Sequence, residues 1–276
     1  MADTVSSVQS HYGFDDLTGQ ILRALEGAGQ DLANPNAETF YPADQLHGGG
    51  LNTTKRQAEL AAIPDGARVL DAGCGIGGSS RFLAQNFGCR VEAMDLTQDY
   101  VDAAKALTEM CGLETQINYR QGDITELPFD DQSFDLVWCQ NVTMNIADKA
   151  ALFGEAYRVL RPGSGFALSE LALGDGGEVI YPAPWSSDGV HSHLLSEQQT
   201  VEALREAGFE IVSVQDNSDA VRQFFEAQKE AVRRDGPPRL GNFILMGENA
   251  KEKARNAARN QMEGRTRPIE ILCRRD

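Results

Sequence analysis

The sequence predicts an α/β fold in which a seven-stranded, mostly parallel sheet carries helices on both faces. The first observation is that short apolar runs alternate with longer segments of helical character between residues 67 and 171. The second is a glycine-rich turn between the first strand and the helix after it. Right-handed crossovers make strands joined in this way parallel. Strands are expected near 67–71, 90–95, 116–121, 134–139, 165–171, 209–214 and 268–273.

Helices are expected between the strands and at both ends of the chain. The helical segments are 53–62, 78–87, 98–111, 148–160, 197–207, 218–234 and 241–262, with one or two more between Val8 and Leu25. Residues 40–50 combine two aromatics, a histidine and three glycines, which indicates a mobile cover and not a core element. We therefore expect an N-terminal cover segment (1–50) and a main domain (51–276). That domain contains an active-site insert (172–192) and a helical cap (217–262).

The chain is organised around the turn Asp71-Ala72-Gly73-Cys74-Gly75-Ile76-Gly77-Gly78. Strand, glycine turn and helix make a Rossmann-like unit, and the glycines let a ligand lie against bare backbone. A dinucleotide site uses G-x-G-x-x-G and binds pyrophosphate at the helix N-terminus. Here Asp71 ends the strand, and its carboxylate would repel a pyrophosphate but attract an ammonium group. The turn therefore favours S-adenosylmethionine (SAM), which has an α-ammonium and no phosphate.

Polar side chains also end the next three strands. Asp95 is expected to accept the ribose hydroxyls, the alternative being a cap on the following helix. Asp123 is expected to accept the adenine amine with Ile124 on the ring, the alternative being a turn aspartate. Gln140 and Asn141 offer amides after the fourth strand. The expected cofactor contacts are Asp71, Gly73, Cys74, Gly75, Gly77, Asp95, Leu96, Gly122, Asp123, Ile124 and Gln140.

These motifs together resemble those of the class I SAM-dependent methyltransferases over about residues 64–173. The segment 159–163 (V-L-R-P-G) is similar to a shared signature of that class. The flanks resemble the sarcosine/dimethylglycine N-methyltransferase group, because 138–141 (W-C-Q-N) is similar to its W-S-Q-D segment. The tail 256–265 is similar to its helix ending in an E-G-G-R turn. The chain departs from that group at Asn141, where an acid is usual, and by lacking a tryptophan in the cover.

The resemblance implies SAM as methyl donor and a small-molecule amine as acceptor, with sarcosine or dimethylglycine as the first examples and betaine synthesis as the role. The alternative acceptor is an oxygen or carbon nucleophile on a natural-product or isoprenoid-type molecule. A SAM-binding regulator without turnover is a third interpretation, and an NAD(P) oxidoreductase is the least favoured.

Transfer to an amine requires a neutral nucleophile, so a proton acceptor is expected near the methyl group. The candidate catalytic residues are His47, Asn141 and His191, and a water is an alternative base. A quaternary ammonium product binds aromatic faces. The candidate substrate contacts are Tyr41, Asn141, Met144, Tyr181 and Trp185. A glycine-derived acceptor also requires a cation for its carboxylate, for which Arg81, Lys55 and Arg56 are candidates.

Composition narrows the class of partner. The 276 residues carry a net charge of −16, which disfavours a nucleic-acid partner because phosphate backbones require a basic surface. The five cysteines are scattered without a C-x-x-C pair, and we read His191 and His193 as lid residues, so no metal is expected. No apolar run is long enough for a membrane span and the N-terminus is not a signal peptide. We expect a cytoplasmic monomer or homodimer.

Overall fold

The computed structural model describes residues 16–45, 47–236, 240–247 and 249–276, except the side chain of Asn242. It contains one seven-stranded sheet, with strand order β3-β2-β1-β4-β5-β7-β6. The first five strands pair in parallel, and β7 is antiparallel to both β5 and β6. The expectation of a Rossmann-like, mostly parallel sheet is therefore confirmed. The strands are β1 (Arg68–Ala72), β2 (Arg90–Asp95), β3 (Ile117–Gln121), β4 (Phe134–Gln140), β5 (Leu160–Leu173), β6 (Glu210–Asp216) and β7 (Thr266–Arg274).

Helices lie between the strands near the expected positions. The part of the predicted N-terminal helix before Asp16 lies outside the described residues, as do Pro237 and Pro238 of the predicted break near 236–238. Two 3-10 helices cover Thr143–Asn145 and Asn242–Met246. The α-helices are α1 (Leu17–Gly27), α2 (Ala37–Asp44), α3 (Leu51–Ala61), α4 (Gly78–Phe87), α5 (Gln98–Met110), α6 (Lys149–Val159), α7 (Glu197–Glu206), α8 (Ser218–Asp235) and α9 (Ala250–Met262).

Alternate residues of the central strands face opposite layers of the core. Leu70 and Val137 pack into the layer beneath α6 and α7, whereas Val69, Leu136 and Trp138 pack beneath α3 and α4. This two-residue period explains why the strands read as continuous apolar runs, since both faces are buried. The strand order reverses between β1 and β4, and the crevice at such a point is where ligands bind in open α/β sheets.

Two expectations about local structure were wrong. Residues 37–44 form helix α2, which is capped by Asn36 and buries Phe40 completely. This part of the N-terminal segment is therefore a core element and not a mobile cover. Strand β5 begins at Leu160, five residues before the expected start at 165, because Pro162 and Gly163 lie in an irregular stretch of the strand. Phe134 of β4 pairs with Leu160 and Leu136 pairs with Gly165, so three extra residues of β5 bulge out between these two pairs.

Helix α9 fixes the irregular segment that follows β5. The amide of Asn260 donates to the Ile180 carbonyl at 3.0 Å and accepts from the Ile180 N–H at 2.8 Å. One turn earlier, Asn256 donates to the Pro182 carbonyl at 2.9 Å. These bonds hold the insert against the C-terminal helix. Within the described residues, no helix combines the length and apolarity needed to cross a bilayer.

Candidate active site

A cavity of about 1030 Å³ opens at the carboxyl edge of the sheet. One side is formed by the glycine turn and by the ends of β2, β3 and β4, and the opposite side by α8, α9 and the second 3-10 helix. Residues 41, 42, 44, 45 and 47–52 also line the cavity. A pocket for one drug-sized ligand measures roughly 300–1,000 Å³. The cavity therefore has room for two ligands side by side, as a group-transfer reaction requires.

Close packing explains two of the turn glycines. Gly73 has φ +82° and a Cβ there would lie 2.3 Å from Val142 Cγ2, so the turn and the end of β4 approach as only glycine allows. Gly77 also has φ +82°, and a Cβ there would lie 2.3 Å from the Tyr119 hydroxyl. The Cβ position of Gly77 faces the core, and Gly77 is not among the residues that line the cavity.

Asp71 is a buried carboxylate at the end of β1. Its side chain accepts a hydrogen bond from the Ser80 hydroxyl at 2.5 Å and lines the cavity. Burial raises the pKa of Asp71 to about 7, and the Ser80 hydrogen bond opposes that rise. A buried acid with one partner at the edge of a cavity is suited to an incoming cation.

The carboxylates of Asp95 and Asp123 each accept hydrogen bonds from residues of the nearby loops. Asp95 accepts the Gly75 N–H at 2.8 Å and the Thr97 N–H at 2.9 Å, so it ties the glycine turn to the end of β2. Burial raises the pKa of Asp95. Asp123 accepts the Thr125 N–H and hydroxyl on Oδ1, as the alternative of a turn aspartate requires. Both carboxylates also line the cavity, so each can bind a ligand in addition to its structural bonds.

Gln140 offers the cavity an unpaired amide donor. Its Oε1 accepts from the Ser79 hydroxyl at 2.5 Å and from Trp138 Nε1 at 3.1 Å. These donors orient the amide, and Nε2 is left buried without a hydrogen-bond partner. A buried donor without a partner is costly unless a ligand supplies an acceptor. Asn141 follows with a left-handed backbone (φ +52°) and also lines the cavity.

An ion pair inside the protein joins the glycine-turn helix to α2. Arg81 Nη2 lies 2.8 Å from Asp44 Oδ2, and both side chains are fully buried. Arg81 is therefore not free to bind a substrate carboxylate. Arg56 pairs with Glu270 at 3.2 Å, and Lys55 is exposed and does not line the cavity. The three cations expected for a glycine-derived acceptor are thus used elsewhere or lie outside the site.

The half of the cavity facing α8 and α9 is mostly apolar and aromatic, with Gln228, Asp235 and Gln261 as polar lining residues. None of the described residues that line the cavity is a lysine or an arginine. Trp185 lies in the wall with its Nε1 donating to the Ser192 hydroxyl at 2.9 Å. The other apolar lining residues of this half include Met144, Leu171, Phe224, Phe225, Val232, Leu240, Phe243, Leu245, Met246, Ala254, Ala257 and Ala258.

Most of the sequence-predicted residues meet in this cavity. His47, Tyr41, Met144 and the remaining cofactor candidates, including Cys74, Leu96, Gly122 and Ile124, line it. Tyr181 and His191 do not: Tyr181 packs beside Trp185 and Gly189 within the insert, and His191 is in the same segment. The structure therefore does not bring these two residues together with the others. Within the described part of the chain, no cluster of three or more histidine, cysteine or acidic side chains is placed to hold a metal ion.

Sequence reasoning missed the acceptor-side wall and the polar network behind His47. Adjacent aromatics at Phe224 and Phe225, and alanines at 254, 257 and 258 with helical spacing, were the available signals for the wall. Gln45 and Thr54 carry no comparable signal, because their partners are set by the packing of α2 against α3.

Comparison with known proteins agrees with this geometry. Residues 70–168 match a family model described as a methyltransferase domain. The chain carries the methyltransferase domain of the class I SAM-dependent enzymes. It is 29% identical to a sarcosine/dimethylglycine N-methyltransferase of Halorhodospira halochloris, over 78% of this chain and 83% of that protein. It is 32% identical to a sterol 24-C-methyltransferase of Eremothecium gossypii, over 68% of this chain and 52% of that protein.

The fold of this methyltransferase domain is shared with solved structures. A phosphoethanolamine N-methyltransferase 2 of Haemonchus contortus, in complex with phosphomonomethylethanolamine and S-adenosylhomocysteine, matches with a TM-score of 0.73 and 20% identity, over 99% of this chain and 60% of that one. The chain spans only 39% of the length of phosphoethanolamine N-methyltransferase 3 of Arabidopsis thaliana, a further relative at 29% identity over 71% of this chain. The relatives act on different acceptors, so they identify the methyl donor and leave the acceptor open.

Proposed function

We propose that this protein transfers the methyl group of SAM to a small molecule with an apolar body and no anionic group. The observation that supports this acceptor class is the lining of the acceptor half, which is mostly aromatic and aliphatic and contains no lysine or arginine among its described residues. A carboxylate or phosphate buried there would have no positive partner, which costs several kcal/mol. An apolar body gains roughly 25 cal/mol for each Å² that it buries.

The residues of the other half suit SAM, which supplies an activated methyl group on its sulfonium. Asp71 would bind the α-ammonium, and the Gln140 amide would donate to the α-carboxylate. Asp95 would accept the ribose hydroxyls, while Asp123 would accept the adenine amine with Ile124 against the ring. Their common position at the ends of β1 to β4 supports this assignment. Alignment of the two reactants within one cavity then provides most of the rate enhancement.

A glycine derivative such as sarcosine or dimethylglycine is the second candidate. The share of each relative that the chain spans favours this candidate. The chain spans 83% of the Halorhodospira enzyme, compared with 52% of the sterol methyltransferase and 39% of the plant enzyme. The carboxylate of a glycine derivative would require a cation from outside the described lining. Arg239 lies outside the described residues next to Leu240, which lines the cavity, so Arg239→Ala is the variant that examines this candidate.

The test compares acceptors that differ only in one anionic group. Tyramine against tyrosine and 2-phenylethylamine against phenylalanine are matched pairs, and sarcosine and dimethylglycine are added alone. Turnover is followed as S-adenosylhomocysteine formation, with methylated products identified by mass spectrometry. We expect the carboxylate-free member of a pair to have the higher kcat/KM, by at least about tenfold. Faster turnover of sarcosine or dimethylglycine than of any amine without a carboxylate, abolished by Arg239→Ala, would instead establish the second candidate.

A further inference from the structure

We propose that His47 is the catalytic proton acceptor for an N–H or O–H nucleophile, acting through Nδ1. A chain of hydrogen bonds to Nε2 of the ring selects the tautomer with the proton on Nε2, which leaves Nδ1 unprotonated. This inference rests on the proposed function and adds to it the base and the type of nucleophile. Three observations support it: the placement of protons along the hydrogen-bond chain, the position of the His47 ring, and the unpaired polar atoms around that ring.

The tautomer of His47 follows from counting the protons in the hydrogen bonds that connect Asp44, Gln45, Thr54 and His47. Arg81 forms an ion pair with Asp44. Asp44 Oδ1 accepts a hydrogen bond from Gln45 Nε2 at 2.8 Å. The other atom of the Gln45 amide, Oε1, is therefore free to act as an acceptor. Thr54 has one hydroxyl proton, and its shortest contact is with Gln45 Oε1 at 2.6 Å. The hydroxyl proton therefore goes to Gln45. The Thr54 oxygen also lies 3.2 Å from His47 Nε2, and it is left to accept a proton from that nitrogen.

The resulting imidazole carries its proton on Nε2 and a free lone pair on Nδ1. Nδ1 is buried and has no hydrogen-bond partner among the described residues. The ring is 8% exposed, and burial lowers the pKa of His47 to about 4, with the Gly48 backbone opposing the shift. His47 is therefore neutral near pH 7, so its ring has a lone pair that can accept a proton.

The ring lies where the two halves of the cavity meet. On the donor side, its partner Thr54 is 3.5 Å from Oε1 of Gln140, at the end of β4. On the acceptor side, a Cβ on the neighbouring Gly48 would lie 3.4 Å from Nε2 of Gln261, in α9. Gln261 Oε1 is a second buried acceptor without a partner. Two unpaired acceptor atoms suit a nucleophile that brings its own N–H or O–H.

The reaction balances with these residues alone. The acceptor nitrogen or oxygen forms a bond to the methyl carbon, and the electron pair of the broken carbon–sulfur bond stays on sulfur as S-adenosylhomocysteine. The proton leaves the acceptor for His47 Nδ1, which makes an imidazolium that still donates from Nε2 to Thr54. Gln261 Oε1 holds a second N–H where the nucleophile is a primary amine. Proton release to solvent after the products leave restores the neutral ring.

His47→Gln is the informative kinetic variant. The Gln amide places an N–H close to the position of imidazole Nε2, so the bond to Thr54 is kept while the basic nitrogen is lost. With the matched acceptor that turns over fastest, we expect kcat to fall by roughly 10²–10⁴-fold. The dissociation constant for SAM, measured by calorimetry, should stay unchanged. Asp102→Asn, at an exposed residue that does not line the cavity, is the control and should keep wild-type kcat. Wild-type kcat in His47→Gln overturns the inference and leaves the proposed function intact.

Thr54 is a positioning residue, and its effect can be measured directly as the tautomer of the His47 ring. The protein has four histidines, so ¹⁵N correlation spectra of the histidine-labelled chain are simple, and His47→Gln assigns the signal. We expect the Nε2–H tautomer at pH 7 in the wild type and in Thr54→Ser, and a mixture in Thr54→Val. Only Thr54→Val should lose kcat. An Nδ1–H tautomer in the wild type overturns the inference without any acceptor, whereas no turnover with any acceptor overturns the proposed function.

Discussion

Replacing Asp71 with asparagine should stabilise the protein without ligand while weakening its affinity for SAM. The side chain is 2% exposed, and its hydrogen bond from Ser80 can be accepted equally by an asparagine oxygen. Asparagine therefore keeps the shape and the hydrogen bond and removes only the charge. Stability and binding are expected to move in opposite directions because the buried charge is retained for the ligand.

The magnitude follows from the pKa of Asp71. Burial raises it from 3.8 to about 7, and each pKa unit corresponds to ~1.4 kcal/mol, so ionised Asp71 costs the folded state up to about 4 kcal/mol. The folded state binds the proton more tightly than the unfolded state, so stability falls as the pH rises from 3.8 to 7. Between pH 5.5 and 8 the advantage of Asp71→Asn should therefore grow by about 2 kcal/mol.

Urea unfolding of the ligand-free wild type and Asp71→Asn at pH 5.5, 7 and 8 measures this difference. Asp102→Asn is the control, since Asp102 is exposed and accepts one side-chain hydrogen bond from Gln98. Calorimetry should show that Asp71→Asn weakens SAM binding by about 1.5–3 kcal/mol, the worth of a charge-assisted hydrogen bond. A stability difference that is the same at all three pH values, or a variant that is less stable at pH 8, would refute the reasoning.

Three further predictions concern the turn and its supports. Asp95→Ala should weaken SAM binding by on the order of 1–3 kcal/mol in calorimetry, part of it through the released Gly75 N–H, and an unchanged dissociation constant would remove Asp95 from the cofactor site. Arg81→Met should lower the free energy of unfolding by about 3–5 kcal/mol because it leaves Asp44 charged and unpaired, and adding Asp44→Leu should recover part of that loss in the same urea titration. Hydrogen exchange at Gln45 and residues 47–50, which follow the core helix α2 and line the cavity, should slow when SAM binds, and equal protection with and without SAM would contradict ordering of this segment.

The strands, and the meeting of their polar ends in one cavity, were predictable because their signals are local. A buried parallel strand reads as an apolar run, and Asp71, Asp95 and Gln140 each stand at the end of such a run. The rule that ligands bind beyond the carboxyl ends of these strands then brings the three together without any knowledge of side-chain contacts. The glycine turn marks the same edge.

The acceptor half was not predictable in this way. Phe224 and Ala257 face one cavity from helices that are far from β4 in the chain, and no local pattern states which helix covers which strand. Arg81 illustrates the same difficulty, because an arginine next to a glycine turn reads as a free cation. Its partner Asp44 lies 37 residues away in a segment that was expected to be mobile.

The sequence by itself determined the sheet, the glycine turn and the methyl donor, since apolar periodicity, positive-φ glycines and strand-end acids are encoded within a few residues of one another. Only the tertiary structure decided that α2 is a core helix, that the three candidate cations are unavailable, and that His47 has its Nδ1 bare. Those properties depend on which distant side chains meet in the interior, where desolvation makes each ion pair and each unpaired polar atom energetically decisive.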